Sequence, residues 1–194
     1  MVLPLDELTK SHSIMKAVIT ISLFLSSIFF TSNLLAQQRP VEVDPLIVAT
    51  VEKEIWIPFM ESYRDLDFQK LKSLHIEDIT RVSPKMNQIQ SGEPYFKTLK
   101  AFFEQIKSLN YQMNIRFSIV TSATSKDKVY QTGYFTIDLK TDKQSAYQST
   151  GYSSFSILAV KSETGTWKIA FDSDQPAKLT EEEFVKAGVV YSLN

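Results

Sequence analysis

Hydrophobic and polar positions along this chain change their period twice. From Ala17 to Phe30 the residues AVITISLFLSSIFF form an uncharged apolar run. Between Asp44 and Leu109 apolar residues recur mostly at helical spacing, and from Tyr111 onward they alternate one by one. Asp44-Pro45 is a helix start, because Asp caps free amides and Pro at the first helical position loses nothing by lacking its own. The stripe Leu46, Val48, Val51, Ile55, Trp56 and Phe59 follows. Pro58 lies inside it and predicts a kink or an end, since its ring displaces the carbonyl four residues back. The Asp65-Leu66-Asp67 turn leads into a short helix to Leu74, with Phe68, Leu71 and Leu74 on one face.

Ile76 to Pro84 reads as a short strand, and the next eight residues, KMNQIQSG, as a loop or ragged hairpin. A third helix opens at Gly92-Glu93-Pro94, with Tyr95, Leu99, Phe102, Phe103, Ile106 and Leu109 inward and Lys97, Lys100, Glu104 and Lys107 outward. Tyr111, Met113, Ile115, Phe117 and Ile119 then alternate with polar residues, which defines a strand with one buried face. Val129 to Lys140, Ser145 to Lys161 and Thr166 to Asp172 continue as strands, the first two joined by the turn Thr141-Asp-Lys-Gln144. In the last strand Trp167, Ile169 and Phe171 are expected on one face. Short turns between consecutive strands predict an antiparallel meander, and Gly133 and Gly151 predict bulges or bends that curve it. Thr180 to Glu183 is a capping box for a final short helix stopped by Gly188.

The apolar run after Lys16, with a polar flank and then Leu34-Leu35-Ala36, has the layout of a secretory signal cleaved after Ala36. Ala17 to Ala36 is also near the roughly 20 residues that span a bilayer, so an uncleaved anchor is the alternative. Both readings imply export to a periplasmic or extracellular space, with Met1 or Met15 as the start. The expected organisation is therefore an export segment, 1–36, and one domain, 37–194. The 21 basic and 22 acidic residues leave a net charge of −1, without the basic excess that neutralising nucleic-acid phosphates needs. Cysteine is absent, which removes disulfides and thiolate chemistry, and His12 and His75 are too few for a His-rich metal site. No cofactor or metal is expected.

Asp65-Leu-Asp67, His75-Ile-Glu-Asp78, Arg81-Val-Ser-Pro84, Gly92 before a helix and Gly165-x-Trp167-Lys-Ile169 together resemble the nuclear transport factor 2-like superfamily, in its SnoaL-like group. The resemblance covers about residues 44 to 175. It implies an α+β, cystatin-like cone: three N-terminal helices packed into a strongly curved antiparallel sheet, a short C-terminal helix, a pocket at the open end, and in many members a dimer through the outer sheet face. Members include isomerases, cyclases, dehydratases and non-enzymatic binders, and a shared fold does not carry a shared activity. Where ketosteroid isomerases of this superfamily carry a catalytic Asp before Pro, this chain has Ser83. Where they carry a Tyr donor it has Ile57. Both departures argue against that enzyme activity.

Trp56 and Tyr63 lie on or beside the first stripe and are candidates for the pocket wall, with core packing as the alternative. Arg81 would suit an anionic ligand if it points inward, since guanidinium grips carboxylates bidentately, and is otherwise a surface salt-bridge residue. Tyr95 is a candidate for the pocket border. Asp78 and Arg81 are the candidate catalytic residues, and a spacing of three places them on opposite faces of a regular strand. His75 is read as a partly buried turn residue rather than a general base. Asp172-Ser173-Asp174 is read as a turn rather than a cation site. Tyr130, Tyr134 and Tyr152, with Thr132 and Thr136, form a face suited to a partner or a homodimer, or to plain solvation. The functional expectation is an exported domain that binds a small apolar or anionic ligand or has an accessory role, without catalysis. The alternatives are an isomerase, cyclase or hydrolase acting on a small apolar substrate, and a dimerisation or interaction module.

Overall fold

The computed structural model describes residues 43–141 and 146–193. The expected export segment, 1–36, and most of the turn expected at 141–144 lie outside the described residues. Asp44 caps α1 (Pro45–Val51) by accepting from the Leu46 and Ile47 amides. A π-helical turn, Glu52–Trp56, then leads into α2 (Ile57–Arg64). Pro58 therefore does not end the helix. Its ring crowds the Glu54 carbonyl, and the chain widens by one residue just before it, so that the Ile57 amide reaches back five residues to the Glu52 carbonyl. The extra residue rotates the face of α2. Trp56, Met60 and Tyr63 are buried, while Ile57 is 37% exposed. Leu46, expected on the buried stripe, is exposed, and Ile47 packs against the core in its place.

Leu66, at positive φ, turns the chain into α3 (Phe68–Ser73), capped by Asp67 on the Lys70 amide. Strand β1 (His75–Ser83) returns as β2 (Gln88–Ser91), so the segment left between loop and hairpin is a hairpin, closed by a 3-10 turn, Pro84–Met86, with Asn87 left-handed. Helix α4 (Glu93–Ser108) follows. Its inward set is as expected except that Phe96, not expected inward, is buried at 2% exposure, and Leu109 caps the helix and is 46% exposed. Strands β3 (Gln112–Thr124), β4 (Lys128–Lys140), β5 (Gln148–Lys161) and β6 (Trp167–Ala177) form the antiparallel meander. Helix α5 (Glu181–Ala187) and β7 (Val189–Tyr191) complete the described chain. The sheet order is β2-β1-β6-β5-β4-β3-β7, antiparallel except where β1 runs parallel to β6. The result is an α+β domain, with α1, α2 and α4 packed into the concave face of a curved seven-stranded sheet.

Both mid-strand glycines sit at bulges. Opposite Gly133 the register slips at Val120, and a Cβ at Gly133 would lie 2.1 Å from the Ser118 carbonyl oxygen. Gly151, at φ +115°, lies where Thr150 and Gly151 oppose Ile137 alone. On the convex face, α5 is held by one charged network. Arg116 binds Asp138 at 2.8 Å and grips Glu181 through both terminal nitrogens at 2.7 and 3.0 Å, while the Tyr152 hydroxyl donates to Glu181 at 2.8 Å. Beneath it Phe184 is fully buried, with the Arg116 guanidinium 5.4 Å from its ring centre. Hydrogen bonds from Arg116 and then Tyr152 hold the Glu181 carboxyl down at about 2.

Two outcomes follow from this packing. Gly133→Ala is expected to lower unfolding stability by about 1–3 kcal/mol, because the added methyl forces β3 and β4 apart, whereas Gly165→Ala, which meets open space at a positive φ, should cost about 1 kcal/mol; urea denaturation compares them. Because the folded Glu181 pKa lies below its unfolded value, its contribution to docking α5 is complete above about pH 5 and fades as pH falls toward 2. Hydrogen exchange at the Phe184 amide should accelerate over that window in the wild type. In Glu181→Gln it should already be fast at pH 7, by an amount equivalent to about 1 kcal/mol or less given the exposure of the pair.

Candidate functional site

A cavity of about 310 Å³ opens between the helices and the concave sheet face. Its apolar wall comes from inward positions on every side: Trp56 and Phe59 from the first helical segment, Phe102 from α4, and Phe117, Phe135 and Phe155 from β3, β4 and β5. The rings brace one another. Trp56 lies 4.6 Å from Phe117 and 5.5 Å from Phe155, and Phe59 meets Phe117 edge-on at 5.4 Å. The Trp56 indole N–H donates to the buried Gln131 side chain at 2.8 Å, and Gln131 donates in turn to Ser122. That fixes the indole ring as wall and leaves it no free polar atom. Met86, Gln88 and Thr98 are exposed lining residues and mark the mouth, where Gln90 donates to Thr98 across β2 and α4.

The polar end depends on one irregularity in β6. Ile169 pairs with Ala159 and Phe171 with Leu158, so Ala170 is an extra residue on β6. The same residue is all that opposes Ile76 to Ile79 of β1 between the pairs His75–Ile169 and Thr80–Phe171. A one-residue slip exchanges the faces of everything beyond it. Before the bulge Ile169 faces the cavity; after it, Asp172 and Asp174 do. Phe171, expected beside Trp167 and Ile169, is thereby turned away. Arg81 is the parallel-strand partner of Asp172 and faces the same way.

Inside the cavity the guanidinium of Arg81 binds Asp172 Oδ2 at 2.7 Å through one terminal nitrogen and Asp174 Oδ1 through the other. These side chains are 18%, 14% and 21% exposed, so the pairing is enclosed, not a surface bridge. Burial raises the Asp172 carboxyl above the usual range, and Arg81 pulls it back only in part. Asp174 is raised by the same burial, with the neighbouring Asp172 charge adding to it. Tyr63 and Tyr95 line the cavity from α2 and α4, and burial lifts both phenols above their ordinary value. Neither hydroxyl has a hydrogen-bond partner among the described residues. The arrangement offers carboxyl oxygens and phenols at one end of an aromatic chamber.

The four residues expected at the pocket, Trp56, Tyr63, Arg81 and Tyr95, all line this cavity. Trp56, Tyr63 and Tyr95 are core residues as well, at 1%, 8% and 8% exposure, so wall and core are one layer here. Asp78 is not there. It is exposed on β1, outside the lining, because β1 departs from β6 over Ile76 to Ile79. Asp172-Ser-Asp174 is not a turn but mid-strand, and it supplies carboxylates that the sequence pattern does not place. The i, i+2 spacing is the available signal, since it puts two strand residues on one face; the bulge that selects the inner face leaves no mark in the pattern. Ser83 does line the cavity, so the position aligned with a catalytic Asp is in place and carries a hydroxyl. Ile57 does not line it, because the π turn rotates it outward. His75 is buried, its Nδ1 2.8 Å from the Leu71 carbonyl oxygen, with its pKa pushed down by burial to about 4, and it stands outside the cavity. On the convex face Tyr130 is exposed, whereas Thr136 is buried and Tyr152 is bound to Glu181. Among the described residues no three His, Asp or Glu side chains come together as a metal site.

No known family's sequence model matches the chain, and no curated protein does. Solved structures do. A ketosteroid isomerase-like protein from Erwinia carotovora atroseptica superposes with a TM-score of 0.50 at 14% identity, covering 68% of this chain and 96% of that one. A cystatin-like protein of unknown function from Nostoc punctiforme gives 0.53 at 13%, covering 73% and 98%. A protein from Catenulispora acidiphila in complex with S-DNPA gives 0.55 at 11%, covering 68% and 95%. The chain thus shares the α+β fold of these ketosteroid isomerase-like and cystatin-like proteins, helices packed on a curved sheet.

Removing the shared cation leaves two enclosed carboxylates opposed. Arg81→Leu is therefore expected to lose about 3–5 kcal/mol at neutral pH. Orphaned carboxyls titrate above their unfolded values, so the loss should shrink as pH falls toward 4 and grow as pH rises. Urea denaturation of the variant at several pH values checks both the size and the sign.

Proposed function

We propose that this chain is a binding domain for a small, largely apolar molecule held in the cone cavity, with its polar end at Arg81, Asp172, Asp174, Tyr63 and Tyr95. The observation that carries the reading is the cavity itself: about 310 Å³, walled largely by aromatic rings, with a few charged and phenolic groups converging in it. That lies near the lower bound of the roughly 300–1,000 Å³ of small-molecule sites, which share this combination of apolar wall and few convergent polar groups. The S-DNPA complex of the Catenulispora acidiphila protein supports a ligand-holding role for the fold. The apolar run Ala17 to Phe30 supports export, so the ligand is met outside the cytoplasm.

A second reading, an acid–base reaction on the bound molecule, is favoured by one specific observation. Two carboxyls share one guanidinium, and burial raises both above the ordinary carboxyl range, which is the direction an acid–base group needs. Ser83 removes the expected base from the β1 side, and β6 supplies carboxyls to the same chamber. A compound recovered from the host and returned altered by wild-type protein, yet unaltered by Asp172→Asn, would establish that reading.

Trp56 makes the binding reading measurable, because its ring is cavity wall. Titration with the neutral 1-naphthalenemethanol should change tryptophan fluorescence saturably. Leu99→Trp and Ile137→Trp, which fill the cavity from α4 and β4, should each weaken binding about tenfold or more in whichever variant keeps its circular dichroism spectrum. Unchanged affinity in a folded, filled variant would place the probe elsewhere and remove the reading.

A further inference from the structure

The charge balance of the cavity restricts what it can hold. Arg81 is the cation of the lining, and both its terminal nitrogens are committed, one to Asp172 and one to Asp174. A ligand carboxylate or phosphate at Arg81 would have to share an enclosed space with two protein carboxylates already paired to it. The charge balance therefore weighs against the anionic ligand that an inward Arg81 alone would suit. With both Asp side chains ionised the lining carries one negative charge in excess, and each carboxylate keeps an oxygen that Arg81 does not bind. The facing tyrosines have hydroxyl oxygens free to accept, and the aromatic rings beyond them present electron-rich faces.

We infer that the cavity selects a small organic cation, a protonated amine with an apolar body, whose ammonium sits at the unsaturated side of the Asp172–Asp174 pair and whose body lies among the rings of Trp56, Phe59 and Phe117. Three observations converge on this class: a committed guanidinium, an excess carboxylate, and a chamber of aromatic faces, which attract cations most when water is excluded. The inference rests on the binding reading above and adds the charge of the ligand to it.

A pH dependence follows from the groups that face the pair: Arg81 from β1, Tyr63 from α2, Tyr95 from α4, and each Asp toward the other along β6. Arg81 stays charged and the two phenols stay neutral through the accessible range, so the carboxyl pair is what titrates. In the empty cavity burial favours keeping a proton on it. Where the pair holds a proton an arriving ammonium replaces it, so binding there releases a proton and strengthens as pH rises, until the amine itself deprotonates.

Isothermal titration with three naphthalenes of one size tests this: 1-naphthylmethylamine as cation, 1-naphthalenemethanol as neutral analogue and 1-naphthoate as anion. The amine is expected to bind at least about tenfold more tightly than the alcohol at pH 7.5, and the naphthoate more weakly than both. The amine's affinity should rise from pH 5.5 to 7.5, with heats that differ between buffers of different ionisation enthalpy. Asp174→Asn should reduce the amine's advantage over the alcohol to about threefold or less, and Asp172→Asn serves if that variant is misfolded. An alcohol that binds as well as the amine, or a naphthoate that binds best, overturns the inference and leaves the binding reading standing. If none of the three binds, the binding reading itself fails.

Discussion

One unpaired residue, Ala170, decides the chemistry of this chamber. Strand β6 begins with Trp167 and Ile169 directed inward, and without the bulge the next inward residue would be Phe171. The slip exchanges the faces, and Asp172 and Asp174 arrive beside Arg81 of the neighbouring parallel strand. β1 swings away from β6 over the same stretch, so both neighbours of β6 accommodate the irregularity at one point. An aromatic chamber is thereby given a charged patch on its wall. The bulge is a local event with a consequence for every side chain beyond it.

Stability does not explain why charges sit there. Replacing an enclosed ion pair by apolar side chains of similar volume is often neutral, or stabilising by about 1–4 kcal/mol, because two desolvation penalties offset the attraction. The surplus carboxylate makes the arrangement worse still in the absence of a proton or an incoming cation. Contrast the Arg116 network on the convex face, where Glu181 is half in solvent and the charges pin α5 over Phe184. There the balance is one arginine against two carboxylates as well, yet water screens it and a helix is gained. Inside the cavity the same ratio holds no additional element in place, which is why it reads as a recognition feature.

The helical order, the meander, both glycine bulges and the capping box were legible because each rests on local chemistry: periodicity, turn residues, a missing Cβ. The pocket residues Trp56, Tyr63, Arg81 and Tyr95 were legible for a related reason, since the fold's helices and first strand are the inner surface of the cone. Asp78, Asp172 and Asp174 were not. Their facing depends on how three strands share a register slip at Ala170, and a residue that small and apolar looks in sequence like any other strand position. Ile57 was misplaced by the same kind of event in a helix: the π turn before Pro58 adds one residue and turns the aligned position out to solvent.

Ser83 shows why alignment by position misleads at this site. Its side chain does border the cavity, as the comparison with ketosteroid isomerases implied, and a serine there removes a base from that strand. The chamber nevertheless contains carboxyls, because two neighbouring strands present their inner faces to the same small volume and either can supply the charge. What a cavity of this fold can do is set by the set of groups that converge in it and by their charge balance, whichever strand delivers them. Among the described residues that set is one guanidinium shared by two enclosed carboxyls, with two phenols, against a wall of rings. Arg81 is the cross-strand partner of Gln90, so this charged group lies close to the residues of the mouth.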